Sequence, residues 1–204
     1  MRTLVIDTAT AACSIALIEG EAVMASAHEV VGRGHAERLL PIIAALPEGG
    51  RADAILVDCG PGSFTGVRVG LAAARALALG WGVSVSGYSS LALLAAMGAR
   101  TMPSLDRIAA VLEGGHGEVF MQSFRLSPLM PLDAAESLAP KVAVERIDMA
   151  AVGSGVARLL AVAPGLTAHD LLPEAASAHL LPPVLRTLAP SPLYCRAPDA
   201  KMPV

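Results

Sequence analysis

Short apolar segments alternate with polar, glycine-rich turns over the first third of the chain. Residues 3–7 and 13–18 are β-branched and aliphatic runs, and a threonine- and alanine-rich segment at 8–12 separates them. Paired runs of this kind predict a hairpin, which a third strand at 22–28 continues after the Gly20 turn. Apolar residues then recur at helical spacing over 35–46, which predicts a helix that contains Pro41.

A strand, a tight turn and a long helix follow between residues 53 and 79, and the rest of the chain is organised around them. The apolar run at 53–58 predicts a buried strand that enters a turn. The residues that shape this turn and begin the next helix are Gly60, Pro61, Gly62, Ser63 and Thr65. Glycine permits a positive φ, and the hydroxyl of Ser63 or Thr65 can accept from amides of the first helical turn.

The long helix carries a stripe of small residues and a pair of charges. Gly66, Gly70 and Ala73 share one stripe, in which each glycine costs about 1 kcal/mol relative to alanine. Close approach of another element would offset that cost, and this element can belong to the same chain or to a partner. Arg68 and Arg75, seven residues apart, share another face, which we expect to meet solvent, an anion or the acidic residues of a partner.

The rest of the chain completes the first α/β unit and predicts a second, smaller one. The predicted elements are a strand at 82–87, a helix at 89–97, strands at 107–112 and 118–124, a strand, Gly-Ser-Gly turn and helix over 150–160, a proline-interrupted helix at 175–188 and an extended tail at 190–196. A connection at 102–106, with the sequence Met-Pro-Ser-Leu-Asp, separates the two lobes. We therefore predict an α/β protein with two lobes, residues 1–103 and 104–204.

Composition and charge narrow the functional class. Hydrophobic residues make up 54% of the 204-residue chain, which is ample for a core, and the net charge of −3 provides no positive field to attract nucleic acid. The three cysteines form no CxxC pair, so we expect a reducing, cytoplasmic setting without disulfides. We identify no signal peptide, and Arg75 interrupts the longest apolar stretch, so we predict a soluble protein without a membrane span.

The residues that usually carry catalysis or bind metal do not form a recognisable set. The five histidines contain no HxxxH or HExxH pair, so we predict no metal site. Ser63 lacks the GxSxG surroundings of a nucleophile elbow, and Cys59 lies on an apolar strand, where thiols are normally inert. The aromatic content of 3% leaves few platforms for stacking RNA bases. We therefore predict no catalytic residue in this chain.

Residues 60–68, with the sequence Gly-Pro-Gly-Ser-Phe-Thr-Gly-Val-Arg, resemble the signature of the TsaB family, formerly YeaZ. Three further segments of the family pattern occur in order, at 4–8, 35–41 and 192–196. This bacterial family serves the biosynthesis of threonylcarbamoyladenosine in tRNA. The resemblance implies a duplicated actin-like ATPase fold of the ASKHA, ribonuclease H-like class, in a non-catalytic relative of TsaD that supports the transfer of threonylcarbamoyl to adenosine.

The resemblance also implies the partners of the chain. The expected partners are TsaD and TsaE, with tRNA reached only through their complex, and the chain is expected to form a homodimer when it is alone. We expect no intrinsic cofactor and no membrane association. Any ATP or ADP is expected at the interface of the complex rather than in a site that belongs to this chain.

The helices that correspond to residues 35–46 and 64–79 form the bundle between subunits in this family. The residues that the resemblance assigns to this interface are His35, Leu39, Ile43, Gly66, Arg68, Val69, Gly70, Ala73 and Arg75. We expect the small residues to permit close approach, the aliphatic residues to make apolar contacts and the arginines to pair with acids. The replacement Gly70→Leu is then expected to abolish pairing without unfolding the protein.

Two catalytic alternatives stay open. An actin-like ATPase or kinase would use Asp7, Thr8 and the turn at Gly153 and Gly155 to contact a nucleotide, although Ala9 replaces the glycine of the usual Asp-x-Gly-Thr hairpin. A glycoprotease of the M22 type is less favoured, because no nucleophile or metal set is recognisable. At residues 113–116 the chain has Glu-Gly-Gly-His where relatives have an Asp-Ala-Arg-Arg-like sequence, and we predict a flexible glycine turn there.

Overall fold

The computed structural model describes residues 1–195, which form two mixed β-sheets with helices packed around them. Residues 196–204, including Arg196 of the tail motif, lie outside the described part. The first sheet and its helices comprise β1 (Arg2–Asp7), β2 (Ala12–Glu19), β3 (Ala22–Val30), α1 (His35–Ala45), β4 (Ala54–Asp58), α2 (Phe64–Trp81), β5 (Ser84–Tyr88) and α3 (Ser90–Thr101). The strand order is β3-β2-β1-β4-β5, in which β1, β4 and β5 are parallel and the β1–β2–β3 meander is antiparallel.

The second sheet has the strand order β11-β10-β6-β7-β8, and β9 pairs with β7. Its elements are β6 (Arg107–Glu113), β7 (Val119–Leu126), β8 (Leu129–Pro131), β9 (Glu136–Leu138), α4 (Pro140–Glu145), β10 (Ala150–Val152), α5 (Val156–Leu160) and β11 (Thr167–His169). Short 3-10 helices lie at Pro47–Gly50, Gly115–Gly117, Ala175–Leu180 and Pro183–Arg186. The predicted α-helix at 175–188 is therefore wrong, because Pro182 and Pro183 divide this segment into two short 3-10 helices.

The central strand β1 is buried on both of its faces. Leu4 and Ile6 belong to the core beneath α1 and α2, whereas Val5 belongs to the core that also contains α3. Successive side chains of a strand point to opposite faces, so a strand covered on both sides needs apolar residues at consecutive positions. This burial explains the unbroken apolar run at the start of the sequence.

The helix α3 is apolar on all sides because it packs between the two sheets. Leu91, Leu93 and Leu94 are fully buried, in a core that also contains Val5 of the first sheet and Phe124 of the second. The core thus joins the two predicted lobes, and their boundary at residue 103 stays a prediction. None of the helices in residues 1–195, α3 included, has the length and apolar character needed to cross a membrane.

The C-terminal segment, residues 187–195, returns to the first sheet. Leu188 forms an isolated antiparallel bridge with Gly87 of β5, through hydrogen bonds of 2.7 and 3.0 Å. The Leu193 N–H then donates to the carbonyl oxygen of Cys59 over 2.8 Å. This segment therefore runs beside the turn that precedes α2.

The glycines of α2 face the β1–β2 turn of the same chain. A Cβ atom at Gly66 would overlap the carbonyl oxygen of Thr8, and one at Gly70 would overlap the Thr8 hydroxyl. Thr8 Oγ1 also donates to the carbonyl oxygen of Gly66 over 2.8 Å. The prediction that these two glycines admit a partner helix is therefore wrong. For the same reason, Gly70→Leu would disturb the fold rather than test pairing alone.

We predict that Gly66→Ala destabilises the protein, whereas Gly80→Ala in the same helix does not. A Cβ at position 66 must displace the Thr8 backbone, and such overpacking costs about 1–3 kcal/mol. Nothing lies within 4 Å of a Cβ at position 80, so alanine there adds helix propensity worth up to about 1 kcal/mol. Urea unfolding followed by circular dichroism measures both changes. A Gly66→Ala variant as stable as the unmodified protein would contradict this account.

Candidate functional site

Two carboxyl groups meet in the core where β1 and β4 end. Asp7 and Asp58 are the last residues of these neighbouring parallel strands, and both side chains are buried. The Tyr88 hydroxyl donates to Asp7 Oδ2 over 2.9 Å. Asp58 accepts from the Ser90 hydroxyl and from the Gly60 N–H, each over 2.7 Å. The Ala9 N–H also donates to Asp7 Oδ1 over 3.4 Å, so the pair is held in place by four surrounding donors.

Burial raises the pKa of both carboxyl groups. The pKa of Asp7 is raised well above its usual range, first by burial and then by the charge of Asp58. Burial raises the pKa of Asp58 to about 6. Hydrogen bonds to its carboxylate, including one from the Asp7 carboxyl group, act in the opposite direction and lower this pKa. Of the two carboxyl groups, Asp7 is therefore the one whose raised pKa more strongly favours the protonated form. The Asp7 side chain, at 0% exposure, faces the core rather than a site open to a nucleotide.

The other residues considered for nucleotide contact also have packing roles. Thr8 is buried and bonded to α2. Gly153 has a φ of +118°, and a Cβ at Gly153 or Gly155 would meet the backbone of β6. The Gly155 N–H donates to the carbonyl oxygen of Val111 over 3.1 Å. The Gly-Ser-Gly turn is thus closely packed, and only its middle residue, Ser154, lines the neighbouring cleft.

The turn before α2 docks onto the β1–β2 turn. Gly60 adopts a φ of +91°, as the glycine pattern predicts for this turn. The Ser63 hydroxyl accepts from an N–H of the first helical turn over 3.2 Å, so Ser63 rather than Thr65 caps the helix. The Ser63 N–H donates to the carbonyl oxygen of Ala9 over 2.6 Å, and a Cβ at Gly62 would overlap that oxygen.

The α1 residues assigned to the partner interface face the interior of this chain. Leu39 and Ile43 are 1% and 2% exposed, and His35 Nε2 lies 3.2 Å from the carbonyl oxygen of Ala12. The prediction that these three residues contact a partner is therefore wrong, because the face they share packs on the first sheet. The outward face of α1 instead carries Ala36, Glu37, Leu40, Pro41 and Ala44.

The two arginines lie on the outward face of α2. The guanidinium carbon of Arg68 is 3.3 Å from the ring centroid of Phe64, and its Nη2 donates to the Tyr194 hydroxyl over 2.7 Å. Arg75 donates to the carbonyl oxygen of Pro190. Within residues 1–195, neither arginine forms an ion pair with a carboxylate. Their positive charges are therefore available to an external acid.

We call this outward side of α2 the arginine face. It comprises Phe64, Arg68, Ala72, Arg75, Ala76 and Leu79, all of which are exposed. Val69 and Ala73 lie beside it, and both are half-buried against the core of the first sheet. Of the residues assigned to the interface by resemblance, these four (Arg68, Val69, Ala73 and Arg75) keep surface that a partner could reach.

A cleft of about 910 Å³ opens next to the start of α2. Its walls come from the β1–β2 turn, the first turn of α2, the β6–β7 turn and the C-terminal segment. Asp7 and Thr8 are buried and are not among the residues that line the cleft. In the part of the chain that the structure describes, no three His, Cys, Asp or Glu side chains are arranged to hold a metal ion.

Sequence reasoning missed the buried group formed by Asp58, Tyr88 and Ser90 around Asp7. The signal that could have found it is an aspartate at the end of each of two apolar strands, because parallel neighbours place such residues side by side. Pairing of β1 with β4 depends on sheet order, which the local pattern does not specify.

We predict that the free energy of unfolding falls as pH rises from 4 to 7, and that Asp58→Asn reduces this fall. The folded state binds more protons than the unfolded state wherever a buried carboxyl group has a raised pKa, so stability is present at low pH and is lost as pH rises through the folded pKa. Replacing Asp58 removes one such proton. The slope of the free energy of unfolding against pH should then decrease by up to about 1.4 kcal/mol per pH unit below pH 6.

Urea midpoints measured at several pH values give this slope. The matched control is Asp170→Asn, because Asp170 is exposed and its replacement leaves the buried pair intact. Parallel curves for Asp58→Asn and the unmodified protein would show that the pair takes up no proton on folding.

The chain is similar to known proteins of tRNA modification. The family described as "TsaD: tRNA N6-adenosine threonylcarbamoyltransferase" matches residues 26–143, more than half of the chain. The tRNA threonylcarbamoyladenosine biosynthesis protein TsaB of Escherichia coli (strain K12) is 39% identical over 131 residues, which cover 61% of this chain. The alignment spans 55% of the length of that relative.

The fold of this chain is similar to the folds of two solved structures. YeaZ from Pseudomonas aeruginosa is 32% identical and superposes with a TM-score of 0.75, covering 88% of this chain and 89% of that chain. A Bacteroides thetaiotaomicron protein with an actin-like ATPase fold is 8% identical and superposes with a TM-score of 0.50, covering 88% of this chain and 95% of that chain. The second likeness concerns the fold alone, and the two together confirm the predicted duplicated actin-like fold. The chain therefore belongs to the TsaB (YeaZ) family of tRNA threonylcarbamoyladenosine biosynthesis proteins.

Proposed function

We propose that this protein is a non-catalytic subunit in the modification of tRNA to N6-threonylcarbamoyladenosine, and that it binds TsaD, together with TsaE, through the outward faces of α1 and α2. The observation that carries this proposal is the arginine face. Arg68 and Arg75 are exposed there, and within residues 1–195 neither is paired with a carboxylate. Surfaces of this kind favour association with an acidic partner.

The shape of the arginine face suits a partner helix. Seven residues at a rise of 1.5 Å separate the two arginines by about 10 Å along α2, which matches two acids one heptad apart on a facing helix. Ala72 lies between the two arginines along the helix, and Ala76 lies next to Arg75. Because both side chains are small, the backbone of a facing helix can approach closely. Leu79 is 87% exposed and Leu40 of the neighbouring α1 is 53% exposed, which adds apolar area to the same side.

The buried state of Asp7 supports a non-catalytic role over the ATPase or kinase alternative. An actin-like enzyme needs its hairpin acid at the nucleotide and metal, whereas the Asp7 carboxyl group is enclosed and hydrogen-bonded to Tyr88. The glycoprotease alternative is not favoured, because no three His, Cys, Asp or Glu side chains within residues 1–195 are arranged to hold a metal ion. We therefore place chemistry, and any ATP or ADP, in the complex rather than in this subunit.

The net charge and the exposed helix faces also lead to expectations about tRNA binding and self-association. With a net charge of −3, the chain is expected to reach tRNA only through the complex, in the cytoplasm. When the partner is absent, two copies are expected to cover the outward α1 and α2 faces by forming a homodimer.

We predict that Arg75→Glu weakens binding to TsaD at least tenfold. The substitution places a negative charge opposite the acids that the proposal assigns to the partner, and like charges at an interface cost several kcal/mol. Sedimentation velocity of mixtures with TsaD from the same organism measures the change. The formation of threonylcarbamoyladenosine should fall in parallel in a reconstituted reaction.

Two controls separate charge from local structure. Arg75→Met loses the bond to Pro190 without reversing the charge and should weaken binding less, whereas Arg51→Glu, on an exposed site outside the two faces, should have no effect. Equal binding by Arg75→Glu and the unmodified protein would refute the role of the arginine face. Magnesium-dependent ATP hydrolysis by the isolated protein would instead favour the ATPase alternative.

We further predict opposite outcomes for two adjacent residues of α1. Leu40→Asp should leave the urea midpoint nearly unchanged but weaken pairing, because Leu40 is 53% exposed on the outward face. Leu39→Asp should unfold the protein, because it places a charge at a position that is 1% exposed. Sedimentation velocity and urea unfolding of both variants test this. Normal pairing by Leu40→Asp would exclude α1 from the interface.

A further inference from the structure

The cleft next to α2 has the size and lining of a small-molecule site. Its volume of about 910 Å³ lies in the range of 300–1,000 Å³ that is typical of ligand pockets. Most of its wall is apolar, and the larger apolar side chains that line it are Phe64, Val67, Leu112, Phe120, Leu172 and Leu193. Such a lining favours the apolar or aromatic body of a ligand.

Arg68 supplies a fixed positive charge at the edge of this cleft. Its guanidinium group stacks on the Phe64 ring, donates to the Phe64 carbonyl oxygen over 3.3 Å and donates to the Tyr194 hydroxyl over 2.7 Å. These contacts restrict the side chain before any ligand arrives. An arginine that is already oriented loses less conformational entropy when it binds an anion.

The charges around the cleft favour an anion. Glu113 also lines the cleft, but its carboxylate pairs with the guanidinium group of Arg158. Arg68 has no such carboxylate partner in residues 1–195. The acid of the cleft is thus neutralised locally, while the charge of Arg68 is not.

We propose that this cleft binds a small molecule that has one anionic group and an apolar, ring-sized body, with Arg68 holding the anion. The residues that line the site all belong to this chain, so the isolated protein can be used to test it. One arginine matches a single carboxylate or phosphate group. A nucleoside triphosphate fits poorly, since Gly62 already packs on the Ala9 carbonyl oxygen at the β1–β2 turn and Asp7 is enclosed below.

The first experiment uses 8-anilinonaphthalene-1-sulfonate, a fluorescent probe with one anionic group on an aromatic body, and the isolated protein. We expect saturable binding at one site, and Arg68→Met should weaken it at least tenfold. Arg68→Lys keeps the charge and should retain binding within about threefold. Arg100→Met, which removes an exposed charge from α3, should bind as tightly as the unmodified protein.

A second variant tests the location without changing the charge. Ala11→Trp adds a large ring from the β1–β2 turn, at an exposed position that lines the cleft, and should weaken probe binding at least tenfold while leaving the urea midpoint unchanged. Equal probe binding by Arg68→Met and Arg100→Met, or by Ala11→Trp and the unmodified protein, would overturn the proposal.

Displacement of the probe identifies the anionic group. Displacement by 4-phenylbutyrate would assign a carboxylate ligand, whereas displacement by phenyl phosphate would assign a phosphate ligand. Either result supports a ligand with one anionic group and an apolar body. Displacement by magnesium ADP and by neither of these compounds would contradict it and assign the cleft to a nucleotide.

Discussion

The structure depends on the close contact between the β1–β2 turn and the first two turns of α2. Gly62, Gly66 and Gly70 have no Cβ atoms, so the Ala9 carbonyl oxygen, the Thr8 carbonyl oxygen and the Thr8 hydroxyl reach positions that any larger residue would occupy. The hydrogen bond from Thr8 to Gly66 and the bond from Ser63 to Ala9 align the two segments. The cost of two glycines in a helix is therefore offset within this chain, and not by a partner.

This contact also determines the electrostatics below it. Once the helix closes over the turn, Asp7 and Asp58 lie in the core, and two ionised carboxylates there would repel each other without solvent to screen them. A proton held by Asp7, which also accepts from the Tyr88 hydroxyl, would remove one charge, and donors from Ser90 and Gly60 compensate the charge of Asp58. Asp7 is thus enclosed and hydrogen-bonded within the core of this chain.

Local pattern predicted the elements of the first half well, but it could not predict which way their faces point. The apolar runs gave β1, β2 and β4, and helical spacing gave α1 and α2, because these signals depend on neighbouring residues alone. Periodicity also grouped Leu39 with Ile43 and Gly66 with Gly70 correctly. Whether such a stripe meets its own sheet or another subunit depends on sheet order and helix packing, which are set by contacts distant in sequence. The group around Asp58 and the return of the C-terminal segment were missed for the same reason.

The separation of the two sides of α2 makes the proposed partner binding compatible with a stable fold. The glycine side holds the core together, whereas within residues 1–195 the two arginines of the arginine face donate to neutral acceptors, which are the carbonyl oxygens of Phe64 and Pro190 and the Tyr194 hydroxyl. Carboxylates accept hydrogen bonds from arginine more strongly than neutral oxygens do. A partner's acids would therefore replace these acceptors without disturbing the core. Because Arg68 belongs to both the arginine face and the cleft, an acid drawn to Arg68 would compete with an anion in the cleft, so the two proposed sites are thermodynamically coupled.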